Sequence, residues 1–303
     1  MIPVSSTFAE RFPVSDGDVG HVNVAEGVSL RVVDRSPSRP DASLPPVLLI
    51  HGLASNARMW DGVAAALTTQ GVRSIAVDLR GHGRSDRPSS GYDFATIGSD
   101  LCRVLDDFDL ERAVFVGQSW GGNVVVDAAH RFPDRVIGSV AVDGGMIDLQ
   151  RSFPVWDDCA DALQPPRLAG TRAGRMEAAI RSMHADWPES GIIGTLSNFE
   201  LLDDGTVRPW LPFDTHMTIL RELWSHRPSD LYAHIDRPVL FLPADSGDVA
   251  WTENKDRAVD EALRLLKHGR VHWFRPAHHD VHAQHPIAVA EVMMSNLRNG
   301  FLS

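Results

Sequence analysis

The stretch AVFVGQSWGGNVVV, residues 113–126, sets one small hydroxyl side chain, Ser119, between two hydrophobic runs and fences it with Gly117, Gly121 and Gly122. The first run is short, β-branched and continuously apolar, which suits a strand covered on both faces. The second, WGGNVVVDAAHRF, has helical spacing. A serine at that junction lies beyond the carboxyl end of its strand, where open α/β sheets gather reactive groups. The turn has to be sharp and leaves no room for side chains two positions before and after, which explains Gly117 and Gly121. The helix start also favours developing negative charge. Gly-x-Ser-x-Gly alone can be an ordinary turn; the strand before it and the helix after it are what point to chemistry.

Working outward, the same apolar runs recur as VLLI (47–50), VRSIAVD (72–78), VIGSVAV (136–142), VLFL (239–242) and VHWF (271–274). Residues 57–70, 96–108, 120–131, 252–267 and 286–298 carry helical apolar faces between them. HVNVAEGVSLRVVDR (21–35) alternates around Glu26-Gly27 and predicts an antiparallel hairpin. Alternating strand and helix predicts an α/β fold with a mostly parallel sheet and helices on both faces. Residues 145–234 break the pattern. They show no convincing strand, hold Trp156, Trp187, Trp210 and Trp224, and are too long for a connection and too aromatic for a linker. The expected organisation is a core of residues 1–144 and 235–303 with a mostly helical cap inserted over 145–234.

The 303 residues are 43 % hydrophobic and 23 % charged, ordinary for a soluble globular chain. A formal charge of −11 argues against nucleic acid or an anionic membrane as partner. Cys102 and Cys159, the only cysteines, form no disulfide framework and read as reduced thiols. The opening MIPVSSTFAERFPVSDGD has no basic stretch followed by an apolar one, so no signal peptide is expected. With no apolar run long enough for a span, a cytoplasmic protein is expected.

Four segments together resemble the α/β-hydrolase superfamily over nearly the whole chain. PPVLLIHGLASNARMW is similar to its strand-then-His-Gly segment, and VDLRGHGRSDRP to its Asp-x-Arg-Gly-x-Gly-x-Ser loop. GQSWGG matches the nucleophile elbow and AHHDVHAQHP the C-terminal histidine loop. The resemblance implies Ser119 as nucleophile, activated by a histidine after the last strand. Of His278, His279, His282 and His285, the family's spacing of seven positions before a proline selects His279, counted from Pro286, with His278 as the alternative. It assigns the oxyanion donors to the backbone of Leu53 and Trp120. His51 is expected to shape its loop, and RGHGRSD (80–86), which lacks the Lys-Ser/Thr ending of a phosphate loop, to be a structural turn. The four clustered histidines lack a metal-ligand pattern, and no metal is expected.

The carboxylate partner stays open between three residues. Haloalkane dehalogenases and certain lactonases of the superfamily place it twenty-four residues beyond the nucleophile, which gives Asp143 in VAVDGG. The more usual position falls in RPVLFLPADSGDVAW, where Asp248 is slightly late and Asp245 slightly early.

The elbow echoes dehalogenases and epoxide hydrolases, whose nucleophile is aspartate. Serine displacing halide would form an ether that the enzyme could not hydrolyse, so serine implies an acyl intermediate from an ester or lactone. That chemistry needs neither metal nor organic cofactor. Trp120, Trp187 and Trp210 are expected to line a hydrophobic pocket for a small-molecule ester or lactone, macrocyclic lactones included. Carbon–carbon bond hydrolysis, perhydrolysis, or a ligand-binding receptor of the same fold with little turnover are the competing readings.

Overall fold

The computed structural model describes residues 17–303. The N-terminal stretch in which no signal peptide was expected lies almost wholly outside them. Eight strands form the main sheet: β1 (Asp18–Ala25), β2 (Val28–Arg35), β3 (Val47–Ile50), β4 (Ser74–Val77), β5 (Ala113–Gln118) and β6 (Val136–Val142), then, after the inserted segment, β10 (Val239–Leu242) and β11 (Gly269–Val271). Their spatial order is β1-β2-β4-β3-β5-β6-β10-β11. β1 and β2 form the expected antiparallel hairpin, β2 also runs antiparallel to β4, and the remaining neighbours pair in parallel. The chain steps from β3 outward to β4 and then back across to β5, so the strand order reverses there. That reversal opens a crevice beyond the ends of β3 and β5.

Side-chain alternation along each strand splits the interior into two layers. Leu48, Ile50 and Phe115 face one way, and Val47, Leu49, Val114 and Val116 the other. Helices α2 (Phe94–Asp107), α3 (Trp120–Arg131) and α9 (Val249–Leu265) cover the first face. Helices α1 (Asp61–Thr69) and α11 (Pro286–Arg298) cover the second. The sequence expectation of VHWF as the last strand is displaced: the ladder is shorter and earlier. His272 and Phe274 still donate to Phe241 O and Pro243 O, both at 2.9 Å, so the chain keeps beside β10 after regular pairing stops.

Between β6 and β10 lie helices α4 (Leu149–Ser152), α5 (Trp156–Leu163), α6 (Ala173–Met183), α7 (Glu189–Leu196) and α8 (Phe213–Ser225). The segment is not strand-free, contrary to the sequence expectation. β7 (Thr171–Arg172), β8 (Phe199–Leu201) and β9 (Thr206–Pro209) form a three-stranded antiparallel sheet ordered β7-β9-β8. These strands are very short, and Pro209 ends one of them, which masks the period-2 signal. The overlooked signal is Asp204-Gly205. Asp204 Oδ1 accepts from Thr206 N (2.9 Å) and Thr206 Oγ1 (2.6 Å), and Gly205 takes φ +77°.

The inserted segment is anchored on the loop after β3. Asn56 Nδ2 donates to Gly194 O (2.9 Å) and Asn198 Oδ1 (2.5 Å), and a Cβ on Gly194 would stand 2.9 Å from Met59 Cα. A separate apolar cluster of Met59, Ile180, Trp187, Ile192 and Leu196 fills the join. Cys102 and Cys159 are buried and unpaired, and burial raises the Cys102 thiol to about 11. No helix among the described residues is long and apolar enough to cross a membrane.

RGHGRSD closes around the carboxylate of Asp78, which is 2 % exposed. Ala57 N donates to its Oδ1 (2.7 Å), while Arg84 N (3.1 Å) and Arg31 Nη1 (3.2 Å) donate to Oδ2. One side chain thus ties the loops after β3 and β4 to β2. Replacing it removes the acceptor of three donors, two of them buried. Asp78→Ala is expected to cost about 3–5 kcal/mol in urea unfolding; a loss below 1 kcal/mol would contradict that role.

Candidate active site

Ser119 takes φ +53°, ψ −120°, a conformation that L side chains rarely adopt and that costs on the order of 1–3 kcal/mol. The surrounding backbone enforces it. Ser119 N donates to Val142 O (2.9 Å), and its carbonyl accepts from Gly122 N (2.9 Å) at the start of α3. The flanking glycines are where other chain segments pass. A Cβ on Gly117 would lie 2.0 Å from Gly121 O, and one on Gly121 would lie 2.4 Å from His51 O. Gly144 is equally constrained, because its Cβ would lie 2.1 Å from Ser119 O. Trp120 is the first residue of α3, so its N–H has no acceptor within the helix.

His279 lies on the loop that follows β11 and precedes α10 (Val281–Gln284). The loop is pinned by Asp245 N to Phe274 O (3.0 Å) and Ala277 N to Asp245 O (2.8 Å). His279 Nδ1 is 2.5 Å from Asp143 Oδ2. Asp143 follows β6 directly, with φ +42° and a side chain wholly shielded from solvent. Its Oδ1 accepts from Ala244 N (2.9 Å), and Lys255 Nζ in α9 reaches both oxygens at 2.7 Å and Ala244 O at 2.7 Å. Burial opposes the charge on Asp143, but the His279 hydrogen bond and charge, together with Lys255, outweigh it and hold the carboxyl below its usual range. For His279, desolvation disfavours the cation, yet the hydrogen bond to Asp143 and the charges of Asp280 and Asp143 raise it above the ordinary value, while Lys255 opposes the rise. The ring is not sealed off: its side chain is 48 % exposed. With Nδ1 donating to the carboxylate, Nε2 is left as the basic atom.

The other acids expected as candidates are elsewhere engaged. Asp245 Oδ1 accepts from Gly247 N (2.8 Å) and Thr252 Oγ1 (2.6 Å), and Asp248 is exposed with its carbonyl accepting from Thr252 N. The acid bonded to His279 is Asp143. His278 turns toward the inserted segment, edge-on to Trp187 at 5.2 Å, with its Nδ1 accepting from Asp280 N. His282 is buried against Trp60 (4.3 Å), and burial depresses it to about 4. His285 is exposed at the start of α11. Among the described residues no three His, Cys, Asp or Glu side chains gather as a metal site would need. His51 is buried; its Nε2 accepts from Leu79 N (3.0 Å), so Nδ1 carries the proton and donates to Gly52 O (2.7 Å). Both ring nitrogens are spent on the loop.

Ser119 and His279 line one cavity of about 170 Å³. Leu53 is in its wall, as are Ala54 and Met59; the rest is Ser55, Gln118, His184, Thr195, Asn198 and Asp280. Polar side chains therefore dominate, and none of the three tryptophans expected to line an apolar pocket is in this wall. The ring of Trp120 is 1 % exposed and stacks on His82 (5.6 Å) inside the core. Trp187 is part of the cluster at the join, where it stacks under His184 (3.9 Å), and Trp210 lies beneath Arg87 (5.2 Å). All three serve packing rather than the cavity wall. Sequence reading missed Lys255, Gln118, His184 and Asn198. Only Gln118 had a local signal, its place beside Ser119; its Nε2 donates to His279 O (3.4 Å).

A family model described as "alpha/beta hydrolase fold" matches residues 45–189. A Mycobacterium tuberculosis protein described as uncharacterized is 37 % identical over 154 residues, 46 % of this chain and 45 % of that protein. The chain thus spans less than half the length of that relative. The 2-(acetamidomethylene)succinate hydrolase of Mesorhizobium japonicum is 29 % identical over 216 residues, 69 % of this chain and 73 % of its own. A crystal structure of E-2-(acetamidomethylene)succinate hydrolase superposes with a TM-score of 0.77 at 23 % identity, over 93 % of this chain and 99 % of the other. At that identity the likeness concerns the fold.

The crowding at Gly144 can be tested directly. Gly144→Ala sets a methyl against the Ser119 carbonyl and is expected to cost about 3 kcal/mol in urea unfolding. An unchanged midpoint would show that the two turns do not constrain each other.

Proposed function

We propose that this chain, whose sheet order and family-model match over residues 45–189 are those of an α/β-hydrolase fold, is a serine hydrolase cleaving a carboxylic ester or small lactone through an acyl-enzyme. The observation that carries this reading is the Asp143–His279 hydrogen bond in a cavity that Ser119 also lines. In the first half-reaction Ser119 Oγ attacks the substrate carbonyl while His279 Nε2 takes the hydroxyl proton. The backbone N–H groups of Leu53 and Trp120 hold the developing oxyanion. As the C–O bond breaks, His279 returns the proton to the leaving alcohol. Water, deprotonated by the same nitrogen, then attacks the acyl-serine; its C–O bond breaks, the acid is released and His279 returns the proton to Ser119 Oγ. Asp143 accepts from Nδ1 throughout, which keeps Nε2 available and stabilises the imidazolium.

The cavity refines the substrate. At about 170 Å³ it is smaller than the roughly 300–1,000 Å³ of pockets that enclose drug-sized ligands. Its wall supports recognition of a compact acyl group bearing hydrogen-bonding atoms, not a macrocycle. The orientation of Asn198 favours the same reading: its Oδ1 accepts from Asn56, which leaves its amide N–H groups available as donors.

Fluorophosphonate labelling is expected in the unmodified protein and absent in Ser119→Ala, with aryl-ester turnover falling about a thousandfold or more. Folded protein that never labels would support a receptor instead, and turnover of vinylogous diketones but not esters would support carbon–carbon cleavage. The pH profile gives a further check. His279 must be neutral to accept the proton and its folded value is raised, so kcat/KM is expected to fall on the acid side through one protonation with a midpoint above the ordinary 6.5. A limb centred well below 6.5 would exclude His279 as the base.

A further inference from the structure

Lys255 has no place in the two half-reactions above, yet it contacts the buried carboxylate more extensively than His279 does. Its Nζ is 2.7 Å from Asp143 Oδ1, Asp143 Oδ2 and Ala244 O, so the three ammonium donors all have acceptors. Asp143 Oδ1 also accepts from Ala244 N, which closes a ring through one residue of backbone at the end of β10. The lysine side chain is 25 % exposed, whereas the carboxylate has no exposed surface. We propose that Lys255 is a positioning residue for the His279–Asp143 pair: its ammonium fixes the buried carboxylate and offsets its charge, so that the imidazole releases its proton more readily than an unassisted Asp–His pair would.

This inference rests on the serine-hydrolase reading for its consequence, but its physical basis is separate. The groups facing His279 are Asp143 after β6, Asp280 beside it on its own loop, Lys255 from α9, His282 from α10, and His184 across the cavity. Two carboxylates favour the imidazolium. His282 is held neutral by burial at neutral pH, so Lys255 supplies the opposing positive charge in this set. Without it, Asp143 and Asp280 would hold His279 protonated over more of the neutral range, and a protonated imidazole cannot accept the Ser119 proton. A like charge at such range shifts a titration by about one unit or more. A purely mechanical role, tying α9 to the end of β10, would affect folding without moving that titration.

The experiment is a titration of the His279 ring by NMR in histidine-labelled protein, the signal assigned by its loss in His279→Asn. Lys255→Gln is expected to raise the midpoint by about one pH unit, and Lys255→Arg to keep it near its original place. The acid limb of kcat/KM should move in parallel, with KM changed less than twofold. A midpoint in folded Lys255→Gln that stays within 0.3 unit of the unmodified protein would overturn the proposal; that threshold is about a twofold change in the protonation equilibrium. Should Lys255→Gln fail to fold, the native protein decides the matter. Coupling is reciprocal, so the Lys255 side-chain ammonium signal must shift as His279 gains its proton, and a flat signal would overturn the proposal. If instead Ser119 proves unreactive while the His279 midpoint still responds to Lys255, the hydrolase reading fails and the electrostatic coupling stands.

Discussion

A carboxylate with no exposed surface has to be matched by donors from the protein itself, because leaving one unpaired in the interior costs several kcal/mol. Asp143 meets that demand with His279, Lys255 and the Ala244 amide. Each comes from a different element: the loop after β11, helix α9 and the end of β10. All three lie more than 100 residues from Asp143 in the chain and meet it at one buried charge. The positive φ at Asp143 and the missing side chain at Gly144 let this turn lie against the equally strained turn at Ser119. Ser119 and Asp143 are therefore placed by two backbone turns packed on each other, and only His279 depends on a longer loop.

Beneath these turns, at the point where strand order reverses, lies a layer of buried groups engaged with backbone and with one another. Asp78 gathers amides from two loops, His51 uses both nitrogens on backbone, and His82 lies between His51 and the ring of Trp120. Burial lowers the titration of both histidines, so they stay neutral and leave the field at the cavity to His279, Asp143, Lys255 and Asp280.

The sheet was legible because its strands are covered on both faces and their apolar runs are continuous. The elbow was legible because Gly117, Ser119 and Gly121 must be neighbours in the chain to make one turn. The acid was not, since Asp143, Asp245 and Asp248 all follow strand ends and only the fold shows which carboxylate meets the imidazole. Lys255 left no trace: it lies 112 residues from its partner on a helix whose other charges face solvent or surface partners. The tryptophans misled for a related reason. An aromatic in an insertion has to be buried somewhere, and Trp187 is buried at the join between the insertion and the core, against His184 and His278.

The clamp between α7 and the loop after β3 bears on how such a chamber can change size. Asn56 holds Gly194 and Asn198, Gly194 rides against Met59, and Met59, Thr195 and Asn198 are themselves wall residues. That wall is hydrogen-bonded and packed directly onto the loop after β3. Room for a bulkier ligand would therefore come from trimming Met59 or Thr195 in place, and the polar character of the wall would survive such trimming because it belongs to Asn198, His184 and Gln118.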